Sequence, residues 1–169
     1  MSFVVEDGTG KIDANAYCDV AFADSYFLDR NLAAWVGLNP VKQGALIQAT
    51  DYIELRFSHL FKGEKKVSTQ ALSFPRISPD FQEMPASLKR ACSEYALRAL
   101  STILLPDPLI DPTGKGLERV RKRVGPIESE TRYQYQGAGT IATIIRPYPA
   151  ADALLKDLIY PSGGRVIRG

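Results

Sequence analysis

The sequence predicts a mainly α-helical protein, a small helical bundle with one β-hairpin at about residues 117–135 and an extended C-terminal arm. Three observations lead to this fold class. Apolar residues recur at intervals of three and four in several segments, which is helical spacing. Between residues 117 and 135 they alternate instead, as in strands. Proline and glycine lie at the borders of these segments, where regular elements end.

Length and composition are typical of a globular protein. The 169 residues are enough for one domain with a sizeable core, so we expect a single domain over residues 1–169. Hydrophobic residues make up 45% and charged residues 24%, which excludes a disordered chain. The net charge of +2 does not indicate a bulk nucleic-acid binder, although local clusters can still bind one. We expect no signal peptide and no membrane partner, because no apolar run is long enough for either.

The first half of the chain is predicted to hold an N-terminal arm and two helices. Residues 1–16 are polar and rich in turn-forming residues, which favours an irregular arm. Asp19 is a good N-cap for a first helix that runs to about residue 30. Asn39 is expected to cap a second helix, because Pro40 suits the first helical position, where its missing N–H is not needed.

The second and third helices are predicted to pack against each other through apolar faces. Residues 63–84 between them form a long loop, and such loops are often functional or interface-forming. The third helix begins near Pro85, and a short further helix covers about residues 150–159. The side chains expected to be largely buried are Leu46, Ile53, Phe57, Leu88, Tyr95 and Leu100.

Enzyme chemistry has little support in the sequence. A zinc site needs about four ligands, and Cys18, Cys92 and His59 are too few. His59 has no nucleophile or carboxylate at a spacing that would form a catalytic unit with it. Segments 8–11 and 113–116 match phosphate-binding loops only in part. We therefore expect no enzyme, no catalytic residue, no metal and no cofactor, and we expect both cysteines to be buried free thiols.

The basic segment 115–123 is the candidate nucleic-acid site. It holds five basic residues and one acidic one. Alternate residues of a strand project from one face, so arginines at alternate positions could contact phosphates without reading sequence. The candidate phosphate contacts are Arg119, Arg121, Lys122, Arg123 and Arg132.

A self-paired hairpin is the alternative, and we favour it over a dedicated DNA site. If residues 125–126 form a two-residue turn, Arg121 and Arg123 face glutamates across the hairpin. Each such pair is worth about 0.2–1 kcal/mol. The same register leaves Arg119 and Arg132 together at the base. Both interpretations can hold at once, because a mixed-charge hairpin that lines a pore still attracts DNA weakly.

Aromatic residues near the basic segment bear on single-strand binding, where bases stack on exposed rings. Tyr133 and Tyr135 are the candidates for such stacking. On the apolar side of a hairpin, however, tyrosines are more often core or interface residues.

Residues 160–169 are predicted to form a flexible C-terminal arm. Pro161 stops the preceding helix, and the two glycines at 163–164 supply a hinge. The segment beyond the hinge cannot bury its apolar side chains on itself, but in extended form it could bind a neighbour's sheet edge or groove. An ordinary frayed terminus is the alternative. The candidate neighbour-binding residues are Arg165, Val166, Ile167 and Arg168.

Short stretches in a fixed order carry a family resemblance over roughly residues 4–160. They are residues 5–10 with 13–17, 45–54 (ALIQATDYIE), 70–76 (QALSFPR), 95–100, 124–128 and 152–155. In this order the chain resembles a family of tailed-phage and prophage proteins encoded among head–tail morphogenesis genes. Its members are labelled DnaT-like single-stranded-DNA-binding proteins, and they are similar to head–tail connector, or adaptor, proteins.

The resemblance implies a structural subunit of the virion neck, assembled in the host cytoplasm. Such subunits form a homo-oligomeric ring, twelvefold by this resemblance, beneath the portal protein. The ring would pass double-stranded DNA through its lumen without sequence specificity and offer a surface to the tail or tail-terminator protein. Residues 165–168 would then reach the portal or a neighbouring subunit.

The alternative function is a single-stranded-DNA-binding accessory protein of replication type. The near-neutral net charge and the self-paired arginines count against it as the main function. The resemblance transfers no catalytic residue.

Overall fold

The computed structural model describes residues 2–106, 117–119, 132–133 and 147–160. Its helices are α1 (Val20–Leu28), α2 (Asn39–Phe57), α3 (Ala86–Ala99) and α4 (Pro149–Leu155), and a 3-10 helix, Lys156–Leu158, follows α4. Its strands form antiparallel pairs, β1 (Glu64–Lys65) with β2 (Arg76–Ile77) and β3 (Leu117–Arg119) with β4 (Arg132–Tyr133). These elements confirm the predicted fold class, mainly helical with a small β-hairpin. The chain divides into two units, Met1–Leu104 with Pro147–Gly169, and Leu105–Arg146.

The core of the first unit forms where α3 packs against both α2 and α4. The predicted inward residues of α2 and α3 are buried, with Ile53 and Leu88 fully so. Leu100 is an exception, since it is only half-buried. It is the C-cap of α3, one residue beyond the last helical residue. Among the residues in these described ranges, no helix is long and apolar enough to cross a membrane.

The first two helices begin differently, α1 with a side-chain cap and α2 without one. Asp19 caps α1 as predicted, and its carboxylate accepts a hydrogen bond from Phe22 N at 2.6 Å. The prediction that Asn39 caps α2 is wrong, because Asn39 is already the first helical residue. The cap is Leu38, whose carbonyl oxygen accepts from Lys42 N at 3.1 Å and whose side chain makes no capping bond. α2 therefore begins without a side-chain cap, and the Leu38 side chain stays exposed.

The N-terminal segment, predicted as an arm, is anchored by one carboxylate. Glu6 is fully buried and accepts hydrogen bonds from Gly8 N, Gly10 N and Lys11 N at 2.8–2.9 Å. Gly10 has a φ of +82°, and a Cβ there would lie 2.8 Å from Val67, so this turn requires glycine. The loop around Glu6 is therefore irregular in shape but fixed in place.

The long loop between α2 and α3 is packed in the same way. The Glu54 carboxylate on α2 accepts from Ser73 N at 3.1 Å, from Ser73 Oγ at 2.7 Å and from the Tyr17 hydroxyl. Phe74 is fully buried, with its ring 4.9 Å from that of Phe61. Residues 72–74 of the loop thus belong to the core.

The last helix is fastened to α2 and α3 through Asp152. Its carboxylate accepts from both terminal nitrogens of Arg56, at 3.0 and 3.2 Å, and from the Tyr95 hydroxyl. Leu155, one turn further along α4, is fully buried. The predicted helix at 150–159 is therefore present as α4 and the 3-10 helix that follows it.

The connection from α1 to α2 is held by Asp24. Its Oδ1 accepts from Trp35 Nε1 at 2.6 Å and from Lys42 Nζ at 2.8 Å, and Trp35 is buried with its ring 5.1 Å from Phe27. Partial burial raises the pKa of Asp24, but the hydrogen bonds from Lys42 and Trp35 outweigh it and hold that pKa below its usual value. The ionised carboxylate therefore fixes this connection.

Truncating the core should be costly. Ile53→Ala or Leu88→Ala should lower the free energy of unfolding by about 2–5 kcal/mol, because each removes a fully buried side chain and leaves a cavity. Urea denaturation measures the loss. Leu55→Ala is the control, since Leu55 lies on α2 but is 67% exposed, and its change should stay within about 0.5 kcal/mol. Equal losses at Leu55 and Ile53 would contradict the assignment of the buried face.

Acid should release the connection between α1 and α2. The pKa of Asp24 is lowered on folding, so its carboxylate stabilises the fold above the ordinary Asp pKa of about 3.9. That contribution is lost as the pH falls through the lowered value. Fluorescence of Trp35, the only tryptophan, should therefore shift to the red in this acidic range.

Two variants test the origin of this shift. Asp24→Ala should give the red-shifted emission already at neutral pH, because it removes both hydrogen bonds. Asp29→Ala, at an exposed aspartate of the same connection, should titrate like the wild type. A wild-type titration that Asp24→Ala leaves unchanged would assign the transition to another group.

Candidate nucleic-acid and protein-binding surfaces

The predicted hairpin is present as the short pair of β3 and β4. Arg119 lies directly opposite Arg132, and the register shifts irregularly beside this pair. A two-residue turn at residues 125–126 gives the same Arg119–Arg132 pairing. That turn, and the candidate contacts at residues 121–123, lie outside the described residues.

The pairing of two arginines has an electrostatic consequence. Like charges directly opposite each other destabilise a strand pair. A phosphate would offset repulsion between arginines paired in this way, because guanidinium groups bind phosphate through short, charge-assisted hydrogen bonds. Arg119 and Arg132 therefore mark the base of the hairpin as a candidate position for an anion.

The helices and their loops offer little for stacking bases. Their aromatic rings pack on each other, as at Tyr52 and Tyr95, whose ring centroids are 4.9 Å apart. In the part of the chain that the structure describes, Tyr160 is the one aromatic side chain that is largely exposed. The candidate stacking residue Tyr135 lies outside that part, and of Tyr133 the structure places the backbone in β4.

Three arginines of the helices and their loops are engaged internally. Arg56 binds Asp152, and Arg98 binds the largely buried carboxylate of Glu94. Arg76 donates to backbone carbonyl oxygens of the neighbouring loop, among them that of Lys62 at 2.8 Å. These guanidinium groups hold the fold together and are poorly placed to contact phosphates.

A second candidate surface is apolar and was not found from the sequence. Five large aliphatic side chains within residues 28–41 are 41–80% exposed. This apolar surface consists of Leu28, Leu32, Val36, Leu38 and Val41. Contiguous exposed apolar patches mark protein-binding sites, so these neighbouring positions of the chain are the candidate for one.

The apolar surface is displayed on a fixed connection. Trp35 points inward to Asp24, and Leu32 N donates to Phe27 O at 3.0 Å. The sequence carried one indication of this surface. If Trp35 points into the core, some of the aliphatic side chains close to it in the sequence must point away from the core and be exposed.

The remaining candidates from the sequence have simple environments. His59 is exposed, and no group of three or more metal-binding side chains lies together among the residues described. Cys18 and Cys92 are buried free thiols, as predicted. The hydrogen bond to Cys92, together with burial, raises the pKa of the Cys18 thiol, which therefore stays protonated.

The predicted C-terminal arm, with Arg165, Val166, Ile167 and Arg168, lies outside the described residues. The described chain leads up to it at Tyr160, whose N–H donates to Leu60 O at 2.8 Å. Residue 161 therefore follows a position just beyond the C-terminal end of α2.

Comparison with known proteins gives a family. No curated protein and no solved structure matches the chain. A family model described as "Putative DnaT-like ssDNA binding protein" matches residues 1–169. That description agrees with the family label reached from the sequence and with the single-stranded-DNA alternative, and it does not mention a connector. Because the model covers the whole length, the chain belongs to the family of DnaT-like single-stranded-DNA-binding proteins.

Proposed function

We propose that this chain binds DNA through the phosphate backbone at the β3–β4 hairpin, and that single-stranded DNA is the ligand. The observation that carries the proposal is the register that sets Arg119 opposite Arg132. An anion between these positions turns an unfavourable strand pair into a stable one. The family description favours this function over the connector interpretation preferred from the sequence.

The sequence around these strands suits a single-strand ligand. Residues 115–123 hold five basic residues, and Tyr133 and Tyr135 follow on the second strand and just beyond it. Proteins that bind single strands without sequence preference combine basic groups for the backbone with rings on which bases stack. Arg56, Arg98 and Arg76 are occupied by carboxylates or carbonyls, which favours the hairpin as the source of the contacts with DNA.

Replacing both arginines of the pair should weaken DNA binding. Arg119→Ala with Arg132→Ala removes two phosphate contacts, and the log–log salt slope for a labelled oligothymidine should become shallower by about 1.4. Fluorescence anisotropy across a salt series measures both affinity and slope. A double variant at the exposed Arg30 and Arg90 changes the net charge equally and should leave the slope unchanged. Equal losses in the two double variants would show that the hairpin is not the binding site.

A head–tail connector is the second candidate function, favoured by the apolar surface. A fixed connection that exposes five large aliphatic side chains is suited to assembly with other subunits. In this function the chain forms a ring in the virion neck, contacts portal and tail proteins, and surrounds double-stranded DNA. The hairpin arginines would then face a duplex in the lumen.

Deleting the gene from a phage or prophage that encodes this chain separates the two functions. A connector is needed after DNA packaging, so its loss should give filled heads without tails in electron micrographs and leave DNA synthesis normal. A replication accessory protein is needed earlier, so its loss should reduce phage DNA synthesis, and the few particles formed should carry tails. Normal DNA synthesis with normal particles would contradict both functions.

A further inference from the structure

The two ends of α2 carry complementary features. α1 runs antiparallel to α2, since Tyr17 N, just before α1, donates to Thr50 Oγ1 at 3.2 Å, whereas Asp24 in α1 binds Lys42 at 2.8 Å. Leu28, one turn past Asp24, therefore lies at the N-terminal end of α2 with the rest of the apolar surface. The C-terminal segment begins at the other end, where Tyr160 pairs with Leu60.

The distance between these ends disfavours a contact within one copy. α2 has 19 residues and is about 28 Å long at 1.5 Å per residue. Ile167 lies seven residues beyond Tyr160, and a fully extended chain covers at most about 25 Å over that stretch. Even when fully extended, the segment is therefore shorter than α2, which disfavours contact of Val166 and Ile167 with the apolar surface of their own copy.

Contact with the apolar surface of a second copy is not limited by the reach of the segment along its own α2. We propose that residues 161–169 of one copy bind the apolar surface of another, so that copies associate head to tail. Val166 and Ile167 supply β-branched apolar side chains for Leu32, Val36 and Leu38. Burying apolar area on both partners drives the contact.

Charge agrees with this pairing. Arg165 and Arg168 flank the apolar pair, and Asp29, exposed beside Leu28, offers them a carboxylate. Arg30 does not cover the surface, because its guanidinium stacks on the Tyr26 ring at 3.6 Å and donates to Tyr26 O at 2.9 Å.

Head-to-tail contact has a defined consequence for assembly. The two sides of the interface are different surfaces, so a bound pair keeps a free surface on one copy and a free segment on the other. Such heterologous contacts close into rings or continue as filaments. The proposal does not depend on the DNA contact, and its failure would leave the Arg119–Arg132 prediction untouched.

Complementation between two full-length variants tests the contact. The surface variant carries Val36→Asp and Leu38→Asp, and the segment variant carries Val166→Asp and Ile167→Asp. In sedimentation velocity we expect the wild type to associate with rising concentration and each variant alone to stay monomeric. An equimolar mixture should form dimers and nothing larger, since it contains one intact surface and one intact segment. Leu55→Asp, at an exposed leucine elsewhere on α2, should associate like the wild type.

A labelled peptide of residues 161–169 measures the same contact when self-association is weak. It should bind the full-length segment variant saturably, and adding the changes at Val36 and Leu38 should weaken binding by about tenfold or more, because a buried carboxylate is unfavourable there. Circular dichroism should confirm that every variant is folded. Association of the segment variant alone, or a peptide that binds equally well without the apolar surface, would overturn the proposal, as would a monomeric wild type with no peptide binding.

Discussion

The carboxylate of Asp152 is the interaction on which the arrangement of the helices depends. α4 has seven residues and is too short to be a stable helix alone. Arg56 of α2 and the hydroxyl of Tyr95 in α3 both donate to Asp152, so one charged group joins three helices. The Tyr148 hydroxyl, at the start of α4, donates to Leu104 O at 3.0 Å. The start of α4 is therefore fixed against the segment that follows α3.

Tyrosine hydroxyls bound to carboxylates recur as the links between distant segments. Tyr17 donates to Glu54, and Tyr26 donates to Glu94 at 3.0 Å, as Tyr95 does to Asp152. Hydrogen bonds to a charged group contribute about 1.5–3 kcal/mol each, more than those between neutral groups. For Tyr17, burial and then the nearby Glu54 carboxylate raise the pKa of the hydroxyl well above its usual value, so the donor keeps its proton.

Periodicity explains which parts of this structure can be predicted from sequence. The buried faces of α2 and α3 repeat every three to four residues, so Ile53 and Leu88 can be identified without a structure. The order of the long loop before α3 cannot, because it depends on the Glu54 carboxylate, and a single polar residue leaves no periodic pattern. The pairing of Arg119 with Arg132 could be predicted because a two-residue turn at residues 125–126, a local feature of the sequence, implies it. The apolar surface depends on the direction of the Trp35 side chain, and tertiary contacts determine that direction.

The buried carboxylate of Glu6 explains why the glycine-rich stretch at residues 8–11 resembles a phosphate-binding loop without fitting one. Three backbone N–H donors, from Gly8, Gly10 and Lys11, converge as they would on a bound anion. The chain places its own anion there, two residues before the turn begins. The backbone amides that resemble a nucleotide site are therefore already bound to the Glu6 carboxylate. A free phosphate would have to displace this carboxylate, which belongs to the same chain.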